Sequence, residues 1–227
     1  MNIAIIPARG GSKRIPRKNI KQFHGKPMIA YSIEAALNSG CFDKVIVSTD
    51  DSEVADIARN CGADVPFIRP ADISDDYATT MDVMQHAVQW CEHRGYDVSN
   101  VCCLYATAPF VTSDFLRKGL NILESAQCEF VFSATSFPFP IQRAIKLSGK
   151  GEVNMFSPEN ENLRSQDLED AYHDAGQFYW GKKTAFLERK AVFAPHSRVV
   201  LLPRICVQDI DTQEDWSFAE ALYGALR

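Results

Sequence analysis

Arg9, Lys13, Arg14, Arg17, Lys18, Lys21 and Lys26 fall within eighteen residues, and no acid occurs before Glu34. Residues 1–33 therefore carry +7, while the whole chain carries −5 and the remainder −12. A cationic island in an acidic chain is a local anion site, whereas the overall charge argues against a general nucleic-acid binder. Gly10 and Gly11 sit inside the island. Lacking a Cβ, they let the backbone turn tightly and approach a bulky anion, and successive amides in such a turn form an anion nest. Arg9, Lys13 and Lys18 are then placed to neutralise a polyphosphate. The run is neither Gly-x-x-x-x-Gly-Lys-Ser/Thr nor Gly-x-Gly-x-x-Gly, which disfavours a P-loop nucleotidase and a nicotinamide dinucleotide. Near the other end, Asp209 and Asp211 stand two apart after Val207-Gln208. On a strand or its exit they share one face. Two carboxylates so placed can hold Mg²⁺, which takes one or two of them and completes its octahedron with water and phosphate oxygens.

The elements that must position these groups alternate. Asn2–Ile6 reads as a buried parallel strand, and the basic loop follows it directly. Ile29, Ile33, Ala36 and Leu37 make a helical stripe between Pro27 and Gly40. Strands are expected over residues 44–48, 64–68, 101–105 and 130–134. Helices are expected through Val54–Cys61, after Thr79 and over residues 112–124. Thr79 with Asp82, and Thr212 with Asp215, have capping-box spacing. The alternation predicts an α/β fold of three layers, with a mainly parallel sheet covered on both faces. In such sheets ligands bind at the carboxyl ends of the strands, where the basic loop lies. The rhythm breaks over residues 136–180, which read as an irregular excursion from the sheet. Strands resume at residues 198–202 and 207–210. The 227 residues form a single domain on this reading.

Seven cysteines without a Cys-x-x-Cys pair argue against a disulfide framework and a cysteine-rich zinc site, and suggest a reducing cytoplasm. No apolar run approaches eighteen residues, and the N-terminus lacks a basic region before its short apolar run, so neither a membrane span nor a signal peptide is expected.

Four segments, spread over nearly the whole chain and in order, carry a family resemblance. They are Pro7-Ala8-Arg9-Gly10-Gly11-Ser12-Lys13 with Ile15-Pro16 and Lys18-Asn19; Arg69-Pro70 with Asp76 and Thr79-Thr80; Arg164-Ser165-Gln166-Asp167; and Asp209-Ile210-Asp211-Thr212 with Glu214-Asp215-Trp216. The sequence resembles the sugar nucleotidyltransferases, and more narrowly the cytidylyltransferases that activate nine-carbon acidic sugars, the CMP-sialic acid synthetase group. The resemblance implies a nucleotidyltransferase fold, CTP and a nine-carbon acidic sugar as substrates, Mg²⁺ as cofactor, and a homodimer built through the excursion. It implies that Ala8, Arg9, Gly10, Gly11, Ser12, Lys13, Lys18, Asn19 and Arg69, with Thr79 or Thr80, meet the nucleotide. Asp209 and Asp211 would both bind the metal, and Arg9, Lys18 and Asp211 would take part in catalysis. The general base stays open between a metal-bound water and Asp211 acting through water. Asp76 reads equally as a local turn former.

On the sugar side the resemblance places Arg164 and Gln166, and an arginine fork suits a carboxylate. His173, the one histidine in a matching segment, could meet the sugar or be a hydrogen-bonded loop residue. Leu104-Tyr105-Ala106-Thr107-Ala108-Pro109 departs from the Leu-Gln-Pro-Thr-Ser-Pro usual in the sialic branch. Ala175-Gly176 stands where that branch tends to carry Asn before the glycine. These departures, with Phe137-Pro138-Phe139-Pro140-Ile141-Gln142-Arg143, look like the pseudaminic acid branch and put Tyr105 and Arg143 on the sugar. The rival readings are a sugar nucleotidyltransferase of different base or sugar, a metal-dependent glycosyltransferase using Asp209-x-Asp211, and a nucleotide-binding module without catalysis.

Overall fold

A computed structural model of the chain describes residues 1–226. In chain order the strands are β1 (Asn2–Pro7), β2 (Gln22–Phe23), β3 (Lys26–Pro27), β4 (Lys44–Ser48), β5 (Asn100–Leu104), β6 (Phe130–Ser136), β7 (Ile145–Leu147), β8 (Val153–Met155), β9 (Tyr172–Lys182) and β10 (Ser197–Leu201). The helices are α1 (Met28–Ser39), α2 (Ser52–Asn60), α3 (Thr80–His93), α4 (Ser113–Ser125), α5 (Lys183–Leu187) and α6 (Gln213–Ala225). Six strands form the main sheet in the order β10-β6-β9-β5-β1-β4. Only β9 runs antiparallel to its neighbours; the other pairs are parallel.

Strand periodicity explains the layers. Along β1, Ala4 and Ile6 point into one apolar cluster and Ile3 and Ile5 into the other, and all four are fully buried. The first cluster is closed by Ile29 and Ile33 of α1, Val54 and Ala58 of α2, and Leu116 and Leu123 of α4. The second is closed by Met84, Ala87, Val88 and Cys91 of α3 and by Phe186 of α5. A sheet buried on both faces needs strands apolar at every position, which is how β1, β4 and β5 read. Beside the sheet, α6 packs Trp216, Ala219 and Tyr223 against Phe23, Met28 and Tyr31. Both capping boxes form: Thr79 and Asp82 open α3, and Thr212 and Asp215 open α6. Gly40 ends α1 in the left-handed region at φ 66°.

Three segments differ from the sequence reading. Residues 172–182 return to the sheet as β9, between β5 and β6, so only residues 137–171 lie outside it, carrying the β7–β8 hairpin. The local pattern of β9 is broken by a bulge, since two steps along β6 from Phe132 to Ala134 match five along β9 from Tyr179 to Asp174. Residues 64–68 make only two isolated bridges, Asp64 with Ile46 of β4 and Ile68 with Thr49 just past it. Pro66 stands between them and cannot donate to a ladder. Residues 207–210 are not a strand. After Pro203 and a 3-10 turn at Arg204–Cys206 the chain leaves the sheet, and side chains hold it instead: Gln177 Nε2 donates to the Cys206 carbonyl at 2.6 Å and Lys18 Nζ to that of Ile210 at 2.5 Å.

One packing contact carries a stability prediction. A Cβ on Gly119 of α4 would lie 2.6 Å from Trp180 Cδ1. Trp180 is fully buried, stacked on Phe42, and donates its indole N–H to the Leu116 carbonyl at 3.1 Å, so it has no room to move. Gly119→Ala is therefore expected to destabilise the fold by about 1–3 kcal/mol from overpacking, offset by at most about 1 kcal/mol of helix propensity. Chemical denaturation checks it; a raised midpoint would show that Trp180 shifts freely.

Candidate active site

Strand β1 lies between β5 and β4, and the chain leaves it first toward β4 and later returns to β5. This is the topological switch point of the sheet, where diverging loops leave a crevice at the carboxyl ends. A cavity of about 600 Å³ opens there. Its walls are the loop after β1, the segment from Arg69 into α3, Tyr105-Ala106-Thr107 after β5, and Asp211.

Five cations line it: Arg9, Lys13, Arg14, Lys18 and Arg69. Asp75, Asp76 and Asp211 answer them, leaving an excess of two positive charges. Lys18 is mostly buried, and its ammonium donates to the Ile210 carbonyl at 2.5 Å and to Asp211 Oδ1 at 3.3 Å. Arg14 holds Asp211 Oδ2 at 2.9 Å. Asp211 thus joins the basic loop to the far end of the chain. Arg69 is nearly fully buried, with Nη2 3.6 Å from Asp50 Oδ1 and Nε donating to Ser74 Oγ at 3.2 Å. Burial draws its pKa down and Asp50 opposes this. Asn19 Nδ2 donates to the Arg9 carbonyl at 2.9 Å and braces the loop. Thr80 and Ser12 add hydroxyls to the wall. The Tyr105 phenol is held above its ordinary pKa by burial, so it stays a neutral hydrogen-bonding group.

The cavity therefore gathers Arg9, Ser12, Lys13, Lys18, Asn19, Arg69, Thr80, Tyr105 and Asp211. Other residues singled out from the sequence stand elsewhere. Ala8 is buried, its amide donating to the Ser48 carbonyl. Gly10 uses its missing Cβ for a different close approach, since a Cβ there would lie 2.5 Å from Asp51 Oδ2, and its amide donates to Asp50 Oδ1 at 2.9 Å. Gly11 has open space where a Cβ would be. Thr79 is the cap of α3. Asp209 is exposed beside Asp211, and partial desolvation and the Asp211 charge hold its carboxyl above the ordinary value. Arg143, Arg164, Gln166 and His173 are outside the cavity lining. Arg143 donates to the Leu163 carbonyl, Arg164 pairs with Asp167 at 2.7 Å, Gln166 sits in the exposed turn Ser165–Asp167, and the His173 ring tilts against Phe137.

Arg14 lines the cavity although the sequence reading gave it no site role of its own, and Asp76, left open there as equally a turn former, lines it too. Arg14 was legible only as one charge of the island. Asp76 accepts from Arg9 Nη1 at 2.7 Å and from Lys13 Nζ, and these two cations hold its carboxyl below the usual range. One carboxylate thus occupies two cations that face the cavity. A phosphate group would compete with it for both. Asp76→Asn is expected to lower the KM for a nucleoside triphosphate, by several-fold at most because exposed ion pairs are weak. Initial rates across a nucleotide titration check this, and a raised KM would give Asp76 a direct part in binding.

The chain matches the model of the Cytidylyltransferase family over residues 3–223. It belongs to that family. The chain is 51% identical over 222 residues to the pseudaminic acid cytidylyltransferase of Campylobacter jejuni subsp. jejuni serotype O:2, covering 98% of this chain and 96% of that one. It is 33% identical to the CMP-N,N'-diacetyllegionaminic acid synthase of Legionella pneumophila subsp. pneumophila, over 97% of this chain and 95% of the other. Among solved structures, the fold matches a CMP:2-keto-3-deoxy-manno-octonic acid synthetase complexed with CTP at a TM-score of 0.70 and 16% identity, over 100% of this chain and 99% of that one. The α/β nucleotidyltransferase fold and the membership expected from the four segments are thereby established, and the cytidylyltransferase is an enzyme rather than a binding module. The glycosyltransferase reading falls away.

Proposed function

We propose that the cytidylyltransferase converts CTP and pseudaminic acid, a nine-carbon acidic sugar, into CMP-pseudaminic acid and pyrophosphate. The observation that carries the reading is the convergence of five cations on one switch-point cavity, in a chain 51% identical to a pseudaminic acid cytidylyltransferase. The lower identity to the legionaminic acid synthase favours this sugar within the class.

Arg9, Lys13, Arg14 and Lys18 bind the triphosphate together with Arg69. The anomeric hydroxyl of the sugar attacks the α-phosphorus in line. A new oxygen–phosphorus bond forms as the bond from the α-phosphorus to the bridging oxygen of the β-phosphate breaks, pyrophosphate leaves with the electron pair, and the hydroxyl proton passes to water, from which Asp211 is placed to accept it. The loop cations stabilise the charge that builds on the phosphates, so catalysis is positioning and electrostatics. Tyr105 lines the wall beside Thr80 and is proposed to contact the sugar.

Asp209 and Asp211 fit a hard divalent cation. Desolvation and then the Asp211 charge raise the pKa of Asp209, and a carboxylate beside a second carboxylate charge is a donor that such an ion relieves. Among the described residues no cluster of three ligating side chains forms, and Mg²⁺ needs only one or two carboxylates beside phosphate oxygens. When bound, the ion would supply charge neutralisation for the triphosphate.

The enzyme is further proposed to be a homodimer. Phe139, Leu147, Val153 and Phe156 of the segment outside the sheet are all more than 60% exposed in the single chain, and the edge strand β10 adds Leu201. This number of exposed large apolar side chains supports an interface there. The segment also carries Arg143, Arg164 and Gln166, assigned here to the sugar. Light scattering coupled to chromatography at micromolar concentration should give twice the chain mass; the single mass would overturn the dimer. All seven cysteines are unpaired, which supports a reducing compartment, proposed to be the cytoplasm. No described helix is long and apolar enough to cross a membrane.

The deciding experiment is pyrophosphate release with CTP, GTP, UTP and ATP against a panel of nonulosonic acids. Turnover with CTP and pseudaminic acid is expected to exceed every other pairing. Preference for N-acetylneuraminate would overturn the sugar, and preference for another nucleotide would overturn the base.

A further inference from the structure

The basic loop is anchored by residues that do not themselves line the cavity. Asp51, just beyond β4, caps α2 through Oδ1, which accepts the Val54 amide at 3.0 Å. The same carboxylate takes the Arg17 guanidinium in a fork, Nη1 to Oδ2 at 2.5 Å and Nη2 to Oδ1 at 3.0 Å. Arg17 Nη2 reaches on to Glu53 at 2.5 Å. Arg17 has φ 56° and ψ 30°, a left-handed conformation that a non-glycine residue holds only when its surroundings impose it. The pair is mutually reinforcing: hydrogen bonding to Arg17 draws the Asp51 pKa down, and Asp51 raises that of Arg17. Gly10, at the other end of the loop, lies flat on the Asp51 side chain, where any Cβ would collide. Asp51 therefore touches the loop twice, once at Gly10 and once at Arg17. Between these points Lys13 and Arg14 are largely exposed, and immediately after the second comes Lys18, seated on Ile210 and Asp211.

We propose that Asp51 and Arg17 are positioning residues for the phosphate-binding cations, which hold the loop closed at its base so that Lys18 and Arg9 face the cavity. The inference rests on the reading of that cavity as the triphosphate site. A carboxylate is needed because it must meet a guanidinium fork with two oxygens while capping a helix, and an amide has only one oxygen. Glycine is needed at position 10 because the loop backbone must pass against that carboxylate.

The test is binding of inorganic tripolyphosphate, CTP and CMP by titration calorimetry, with thermal melting and steady-state kinetics, for wild type, Asp51→Asn, Arg17→Lys, the double variant and Gly10→Ala. Asn preserves the helix cap and Lys preserves the charge, so the melting temperature should move little. Affinity for tripolyphosphate and the CTP-to-CMP affinity ratio should fall about tenfold in Asp51→Asn and in Arg17→Lys, as for loss of a charged hydrogen bond. Gly10→Ala, whose Cβ would collide with Asp51, should lose at least as much and also melt lower, and unchanged tripolyphosphate affinity in it would count against the proposal. The double variant should be no worse than either single one, because one clamp is broken in both. CMP affinity should hold. A lowered melting temperature with unchanged tripolyphosphate affinity would reduce the pair to a structural role and overturn the proposal, as would additive losses. Wild type that binds tripolyphosphate but does not turn over CTP would overturn the functional reading and leave the clamp to be judged on tripolyphosphate. Wild type that binds neither would overturn both.

Discussion

Lys18→Ala is expected to lower kcat by about a hundredfold to a thousandfold while leaving the fold intact. The size is that of removing one preorganised charge from a site that stabilises a developing anion, about 3–4 kcal/mol. Lys18 is the least exposed cation of the basic loop facing the cavity, with its side chain at 19%, and its ammonium is fixed by the Ile210 carbonyl and by Asp211. It therefore needs no reorganisation when charge builds on the phosphates. Lys18→Arg should rescue poorly, because a planar fork cannot occupy a seat cut for a compact ammonium. The fold should survive because Lys18 supplies only two polar contacts among the described residues, to the Ile210 carbonyl and to Asp211, and Asp211 keeps its pair with Arg14. Single-turnover rates and melting curves decide the matter together. Near-normal turnover in a folded Lys18→Ala enzyme would remove Lys18 from catalysis. Arg9→Ala should have a smaller effect, since Arg9 is 40% exposed and shared with Asp76.

The two aspartates proposed for the metal should behave differently from one another. Asp→Asn at either position keeps the size and removes a charge, and an amide oxygen is a weak ligand for Mg²⁺. Each variant should lose on the order of a hundredfold or more in kcat, and chelator should abolish wild-type turnover. Stability separates them. The Asp209 carboxyl is held above its ordinary pKa, so the folded chain binds its proton more tightly than the unfolded chain does. Its contribution is favourable only at low pH and is lost as pH rises through the folded value, which makes its charge a cost at neutral pH. Asp209→Asn should then melt at an unchanged or slightly higher temperature in metal-free buffer. Asp211 holds both Lys18 and Arg14, so Asp211→Asn leaves two cations without that partner and should melt lower. Activity unaffected by chelator, with both variants near normal, would overturn the metal proposal. Residues 207–210 are not a strand, so strand alternation does not itself place the two carboxylates; the segment is an irregular crossing pinned by side chains.

The amino-acid sequence by itself determined the features that are local. Capping boxes at Thr79 and Thr212 need only four residues, and each forms where its spacing says. Alternating strand and helix patterns around β1, α1 and β4 specify layers through periods of two and 3.6 residues. The basic loop after β1 was legible by charge and position, its family signature was legible because it is contiguous, and its cations line the cavity. What only the tertiary structure decided is what pairs across distance. The place of β9 in the middle of the sheet depends on β5 and β6 offering ladder partners, and its bulge erased the period that marks a strand. Lys18 meets Asp211 across 193 positions, and Arg9 meets Asp76 across 67. No local pattern encodes such contacts, because they arise when separate elements are packed onto one sheet edge. The same packing set Gly10 against Asp51, since a missing side chain reports room for something and leaves the fold to say what fills it.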